Sequence, residues 1–348
     1  MIRHRLTAWL GAASALMPPL LLPSAATADE VADFYRGKTI TMFIGYPSGG
    51  GYDLYARTIG RHIVRHIPGT PSIVPQNMPG ASSMLLANHM AKVAPRDGTA
   101  LAAVNSALLF DSIFQGAASK AQFKPNEMLT VGNVVSSASV IIALSKSGVT
   151  RLDDLKTKEL VVGATGRSGD TYLLPLAIKR VMGLDGLKIV PGYPGTREVA
   201  IALERAEITG RVWDMEGIKA ARPQWLTDGT IRILAQLAPK KMPEVPADVP
   251  LVKEFVASED DHKVLDVIFM STILARPYIA PPGLPPARAK ALRDAFMTTM
   301  RDPVFLAEMG KLNMTVDPTS GEDVERILRD AHALPAPLID KVRKLLAD

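Results

Sequence analysis

Residues 39–53 read Thr-Ile-Thr-Met-Phe-Ile-Gly-Tyr-Pro-Ser-Gly-Gly-Gly-Tyr-Asp, and this stretch decides the fold. Thr39 to Tyr46 is rich in β-branched and apolar residues and is short, the pattern of a buried strand. Pro47 to Tyr52 is a glycine-rich loop. From Asp53 the spacing of Tyr55, Ile59, Ile63 and Ile67 predicts a helix with one apolar face, stopped by Pro68-Gly69-Thr70-Pro71. A strand that runs through such a loop into a helix is the opening unit of an α/β sheet, and ligands bind at that end of the strand. The glycines let backbone N–H groups approach a ligand, and the helix start favours an anion. A plain tight turn, with Asp53 capping the helix, is the other reading of the same residues.

The unit repeats outward from there. Strands are expected at Ile73–Val74 and Leu101–Val104, with a helix over 83–93 between them, so the sequence predicts a parallel sheet. A second unit starts at Val140–Leu144. Strand 160–163 leads into the loop Ala164-Thr165-Gly166-Arg167-Ser168-Gly169-Asp170 and a helix over 171–182, with Pro175 placed in its first turn. Ile189–Val190, the loop Pro191–Thr196, a helix over 198–203 and a strand over 231–237 follow. Ser320 and Asp323 have capping-box spacing before a late helix. Two anion-friendly loops facing each other would clamp a small acid. Arg167 either meets its carboxylate bidentately or points to solvent. Tyr193-Pro194-Gly195-Thr196 either aims a third helix start at the cleft or is a simple turn.

Composition removes several functions. The 348 residues contain no cysteine, which rules out disulfides, thiolate metal sites, cysteine nucleophiles and an acylated lipoprotein anchor. A net charge of +5 with 5% aromatic residues and no long Lys/Arg run gives no nucleic-acid surface. Residues 1–28 have a basic start, an apolar stretch broken by Pro18, Pro19 and Pro23, and small residues at Ala26 and Ala28. This predicts a secretory leader cut after Ala28 and an exported mature protein, and export without cysteine is compatible with the periplasm. No serine sits in G-x-S-x-G: Ser48, Ser82 and Ser168 each lack a required glycine. His62 and His66 are four apart on a helix but lie beside Arg61 and Arg65 without the HExxH glutamate, so a solvated basic face is expected, not a metal site. Trp213-Asp214-Met215-Glu216 either lines the cleft or packs at its rim.

Several segments together resemble the tripartite tricarboxylate transporter receptor family, the Bug-type periplasmic solute-binding proteins. They are Gly37–Ile40, Tyr46–Arg57, Asn77–Ala81, Asp97–Leu101, Gly163–Ser168 and Tyr193–Thr196. The resemblance implies an α/β, type II periplasmic-binding-protein fold: two α/β lobes with a hinge and an interlobe ligand cleft. By position, lobe 1 is 29–137 with 238–348, and lobe 2 is 138–237. It also implies that a carboxylate is held by Tyr46, Pro47, Ser48, Gly49, Gly50, Gly51, Tyr52 and Asp53 from one side. Thr165, Gly166, Arg167, Ser168, Gly169 and Asp170, with Tyr193, Pro194, Gly195 and Thr196, close from the other. The expected partners are a small organic acid and the integral-membrane permease subunits of a tripartite transporter, with no nucleic acid. No cofactor, metal or catalytic residue is expected, and the receptor is expected to be a monomer. Here the family's extra glycine near Ser82 is missing, and Glu207–Asp214 replaces its Gly-x-Val-Asp segment. An exported α/β hydrolase and a receptor feeding a sensor kinase remain the alternatives.

Overall fold

The structure, a computed structural model, describes residues 25–347. The leader sequence lies outside the described residues as far as position 24, and Ala28 falls within the first helix, α1 (Ala25–Tyr35). The chain then runs β1 (Thr39–Ile44), α2 (Gly51–Ile63), β2 (Ser72–Asn77), α3 (Met84–Lys92), β3 (Ala100–Ala103), α4 (Asp111–Phe114) and β4 (Leu129–Asn133). It crosses to β5 (Ser139–Leu144), β6 (Leu160–Gly163), α5 (Asp170–Met182), β7 (Leu187–Val190), α6 (Thr196–Glu204), β8 (Gly210–Asp214), α7 (Met215–Ala221) and β9 (Ile231–Leu237). It ends with α8 (Glu259–Phe269), β10 (Pro277–Ala280), α9 (Pro286–Thr299), α10 (Pro303–Lys311), β11 (Thr319–Ser320), α11 (Gly321–His332) and α12 (Ala336–Leu346).

These strands form two sheets, ordered β11-β4-β10-β3-β1-β2 and β7-β6-β8-β5-β9. Neither is wholly parallel, as the sequence had predicted. In the first, β1 pairs in parallel with β2 and β3, while β10 is antiparallel to both β3 and β4. In the second, β6 is parallel to β7 and β8, and β5 is antiparallel to β8 and β9. The antiparallel members enter where the chain changes sheets, a step that local periodicity does not encode. β5 is buried along its whole length, as its continuous apolar run Val140–Leu144 requires. One apolar core spans both sheets: it contains Phe43 and Ala102 from the first, Ile141 and Val162 from the second, and side chains of α5, α8 and α12. After β9 the chain stays on the second sheet for a while, with Gln236 donating to the Val249 carbonyl and bridging Leu251.

Three local expectations change. Pro175 lies in the second turn of α5, not the first. Asp53 is inside α2, whose N-cap is Gly50. The His62/His66 face is not solvated. Helix α10, from the far end of the sequence, docks on it, and His62 Nε2 meets Glu308 at 2.5 Å while His66 Nε2 meets Asp302 at 2.8 Å. The Ser320 hydroxyl accepts from the Asp323 amide at 3.1 Å, the cap that its spacing predicts.

Candidate functional site

The loops after β1, β2, β6 and β7 meet between the two sheets. Three helices begin there: α2 at Gly51, α5 at Asp170 and α6 at Thr196. The first amides of a helix have no intrahelical partner and carry the positive end of its dipole, so this convergence suits an anion. The approach is close enough to demand glycine. A Cβ on Gly166 would sit 2.6 Å from the Ala81 carbonyl carbon, and one on Gly50 would sit 3.1 Å from Thr196 Oγ1. Gly195 backs onto the ring of Pro47 in the same way. The lobes are thus closed on each other at this edge.

The loop at 80–83 makes the firmest crossing, and sequence reasoning left it out. Ala81, Ser82 and Ser83 all have positive φ, at 46°, 53° and 70°. Such backbone is uncommon outside glycine and is characteristic of functional sites. It carries Ser82 across the cleft. Its hydroxyl accepts from the Gly166 amide at 2.6 Å and lies 2.6 Å from Thr165 Oγ1. The signal for this in the sequence was Pro79-Gly80 ahead of two serines; Asn77–Ala81 carried part of the family resemblance, but no contact was assigned to Ser82.

Behind the loops lies a buried polar cluster. Tyr46 and Tyr52 stack with ring centroids 4.6 Å apart. Asn105 Nδ2 donates to Tyr46 Oη and to Asp170 Oδ1, both at 2.9 Å, and so joins the two sheets. Burial pushes the Asp170 carboxyl above the usual range, and the Asn105 hydrogen bond opposes that. Arg276, at the start of β10, lies under the Tyr52 ring at 4.4 Å and donates to Asp214 Oδ1 at 2.8 Å. Burial is the largest influence and works against its charge, but Asp214, Tyr52 and Tyr55 together outweigh it and hold the guanidinium's pKa above its usual value. Asp214 also caps α7 through the Gly217 amide at 2.7 Å. Glu216 turns away and accepts from the Thr315 amide at 3.0 Å. Of the two carboxylates beside Trp213, therefore, Asp214 belongs to this cluster and Glu216 to the seam behind it. Tyr52 is 5% exposed, and its hydroxyl has no hydrogen-bond partner among the described residues.

The expected site residues divide into two groups. Tyr46, Pro47, Gly50, Gly51 and Tyr52 meet Thr165, Gly166, Gly169, Asp170, Gly195 and Thr196 here. Gly51 faces Arg276, and Gly169 faces Ser82. Ser48 and Gly49 are exposed on the rim. Asp53 serves its own lobe: it accepts from the Gly49 amide, from Arg57 Nε and from Asn77 Nδ2, at 2.8 to 2.9 Å. Arg167 is exposed and donates to Tyr172 Oη of α5 at 2.9 Å. Together with Tyr193, Pro194 and the 79–81 loop it borders a groove of about 510 Å³ at the mouth of the cleft. Ser168, half-buried, stands between these groups. Asn105, Arg211 and Arg276 were not singled out from sequence. Each is an isolated polar residue beside apolar strands, a weak signal that burial makes strong. Among the described residues no group of three or more metal-ligating side chains is present. No described helix is long and apolar enough to cross a membrane.

Comparison with solved structures places this fold. The periplasmic binding protein BugD aligns with a TM-score of 0.70 at 17% identity, covering 89% of this chain and 98% of that one. MatC from Rhodopseudomonas palustris, solved with bound malate, aligns with a TM-score of 0.69 at 18% identity, covering 89% and 99%. An R. palustris protein solved with adipate gives 0.68 at 18% identity, covering 89% and 97%. No curated protein matches the chain in sequence. The sequence pattern of one family, the tripartite tricarboxylate transporter family receptor, matches residues 56–344, and the chain belongs to that family.

Proposed function

We propose that the protein is an exported receptor that closes two lobes around a small carboxylate and delivers it to the membrane permease of a tripartite transporter. The observation that carries this reading is the convergence of the α2, α5 and α6 N-termini on one closed cleft, where glycines let the loops touch. Family membership supports the receptor role. The acids bound to MatC and to the R. palustris adipate complex support a carboxylate as ligand. The contacts are the residues expected from sequence, with Ser82 added and Asp53 removed. The lobes are 29–137 with 238–348, and 138–237. They hinge where the chain crosses at 134–138 and again beyond β9, although the segment around Val249 rides on the second lobe. The receptor works as a monomer, without cofactor or catalysis, in the periplasm after cleavage behind Ala28.

A thermal-shift screen of the mature protein against mono-, di- and tricarboxylates and aromatic acids tests this. A ligand of the folded state raises the melting temperature by mass action. A saturable shift with one class of acid is expected, and no shift with any acid overturns the reading. Turnover of generic esters that is lost in Ser48→Ala or Ser168→Ala would establish the exported hydrolase instead.

A further inference from the structure

Among the described residues Arg211 is the largest fully buried side chain, with 0% exposure. It stands on β8, and its partner across the sheet is Ile142 in the middle of β5. A guanidinium in such a place normally spends all its donors on carboxylates or carbonyls. This one does not. Nη1 donates to the Thr196 carbonyl at 3.0 Å, at the first turn of α6. Its plane lies 3.5 Å over the Trp213 ring centroid, which fixes the side chain and covers a face. Nε and Nη2 are buried and have no hydrogen-bond partner among the described residues. Those two atoms form one edge of the guanidinium, the edge that holds an oxyanion by two parallel hydrogen bonds.

The surroundings place this side chain beside the cleft. Thr196, held by Nη1, is the residue that Gly50 approaches from the other lobe. The acids that act on Arg211 are Asp214 and Asp170, and both are bonded across the lobes, to Arg276 and Asn105. Burial, opposed by these carboxylates, brings the Arg211 pKa down to about 9, so the side chain is cationic at neutral pH. Leaving two donors of a buried cation without partners is expensive, so this edge is poised to take an oxyanion.

We propose that Arg211 is a specificity-determining residue whose Nε–Nη2 edge takes a second oxyanion of the ligand, while the first is held at the glycine loops. The inference rests on the carboxylate reading above and adds to it the residue that selects a second charged end.

The test is calorimetric titration of the mature protein with α,ω-diacids from malonate to suberate, each paired with the monoacid of the same chain length. Wild type is expected to favour one diacid over its monoacid by about 100-fold, the range for a bidentate charged pair. Arg211→Met is expected to erase that preference and leave monoacid affinity within a few-fold, which also shows that the variant is folded. Arg211→Lys keeps the cation but not the edge, and it should recover only part of the preference. A diacid preference that survives in Arg211→Met, or is absent from wild type while acids still bind, overturns this inference alone. Failure of wild type to bind any acid overturns the carboxylate reading, and this inference falls with it.

Discussion

The cleft has two layers that follow different rules. Its rim, Pro47–Gly51 with Gly166, Gly195 and Thr196, is made of backbone and small side chains. Its floor is made of polar side chains: Tyr46, Tyr52, Asn105, Arg211 and Arg276 are buried, and Asp170 and Asp214 are half-buried. The rim draws on helix starts and close approach, which are insensitive to the rest of the ligand. The floor draws on charge in a dry environment, where each unpaired group counts for kilocalories. The comparison teaches that one fold can keep a generic grip for an acid and vary its selectivity behind it.

If the floor holds the lobes as well as the ligand, its loss should be felt most in stability. Arg276→Met leaves Asp214 without its partner and removes the cation from under Tyr52. Breaking one side of a buried pair in this way lowers stability by about 3–5 kcal/mol. Urea unfolding without ligand measures this, and a loss below about 1 kcal/mol would show that the floor is not a structural element. The rim should behave in the opposite way. Gly50 has φ −91° and ψ 172°, ordinary extended backbone, so Gly50→Leu introduces no local strain. The new side chain meets Thr196 and holds the lobes apart. We expect affinity for the best acid to fall by about 100-fold, about 2.7 kcal/mol, with each lobe still folded and the free protein losing less stability than Arg276→Met does. Unchanged affinity would break the distinction between the layers from the rim side.

The same division decides what was legible in the sequence. The rim is contiguous: TITMFIGYPSGGGYD and LVVGATGRSGD each carry strand, loop and helix start within about 15 residues, and local patterns can report them. The two-sheet α/β architecture followed from the same strand–helix alternation. The floor is not contiguous. Asn105 follows β3, Arg211 lies in β8 and Arg276 immediately precedes β10, and antiparallel entry of β10 beside β3 brings Arg276 under Tyr52. No window of sequence contains that contact. Asp53 and Arg167 were legible as residue types but not as roles, because their partners Asn77 and Tyr172 decide where they point. Ala81–Ser83 was hidden for another reason: non-glycine residues there adopt backbone that the sequence gives no licence to expect.

Titration separates the layers further. Asp170 sits in the floor with its pKa above the usual carboxylate value, chiefly through burial. The folded state therefore binds its proton more tightly than the unfolded chain does. Between the ordinary and the raised value, stability contributed by this group is present at low pH and is lost as pH rises. Asp170→Asn keeps an oxygen for Asn105 and for the Thr171 amide and removes the titration. Its stability should match wild type at the acid end of the carboxylate range and exceed it increasingly as pH rises. The difference can grow by at most about 1.4 kcal/mol per pH unit and becomes constant above the raised pKa. Ser48→Ala on the rim should run parallel to wild type throughout. Parallel curves for both variants in urea unfolding across the pH range would remove the assigned difference.

The smallest effect is the most discriminating. Tyr52→Phe keeps the ring that stacks on Tyr46 and covers Arg276, and it deletes only a hydroxyl. That hydroxyl is buried and has no hydrogen-bond partner among the described residues. A buried donor left unmade costs folding energy, so its removal should leave the free protein as stable as before or more stable by up to about 1 kcal/mol. A ligand that reaches the floor gives the hydroxyl its partner, and the same substitution should then weaken binding by about 5- to 10-fold, close to 1 kcal/mol. The two changes have opposite signs, which a general packing defect does not produce. Unfolding of the free protein and titration with the best acid read them separately. If affinity is untouched, the ligand stops at the rim. If stability falls, the hydroxyl has a structural partner and the floor is closed to the ligand at Tyr52.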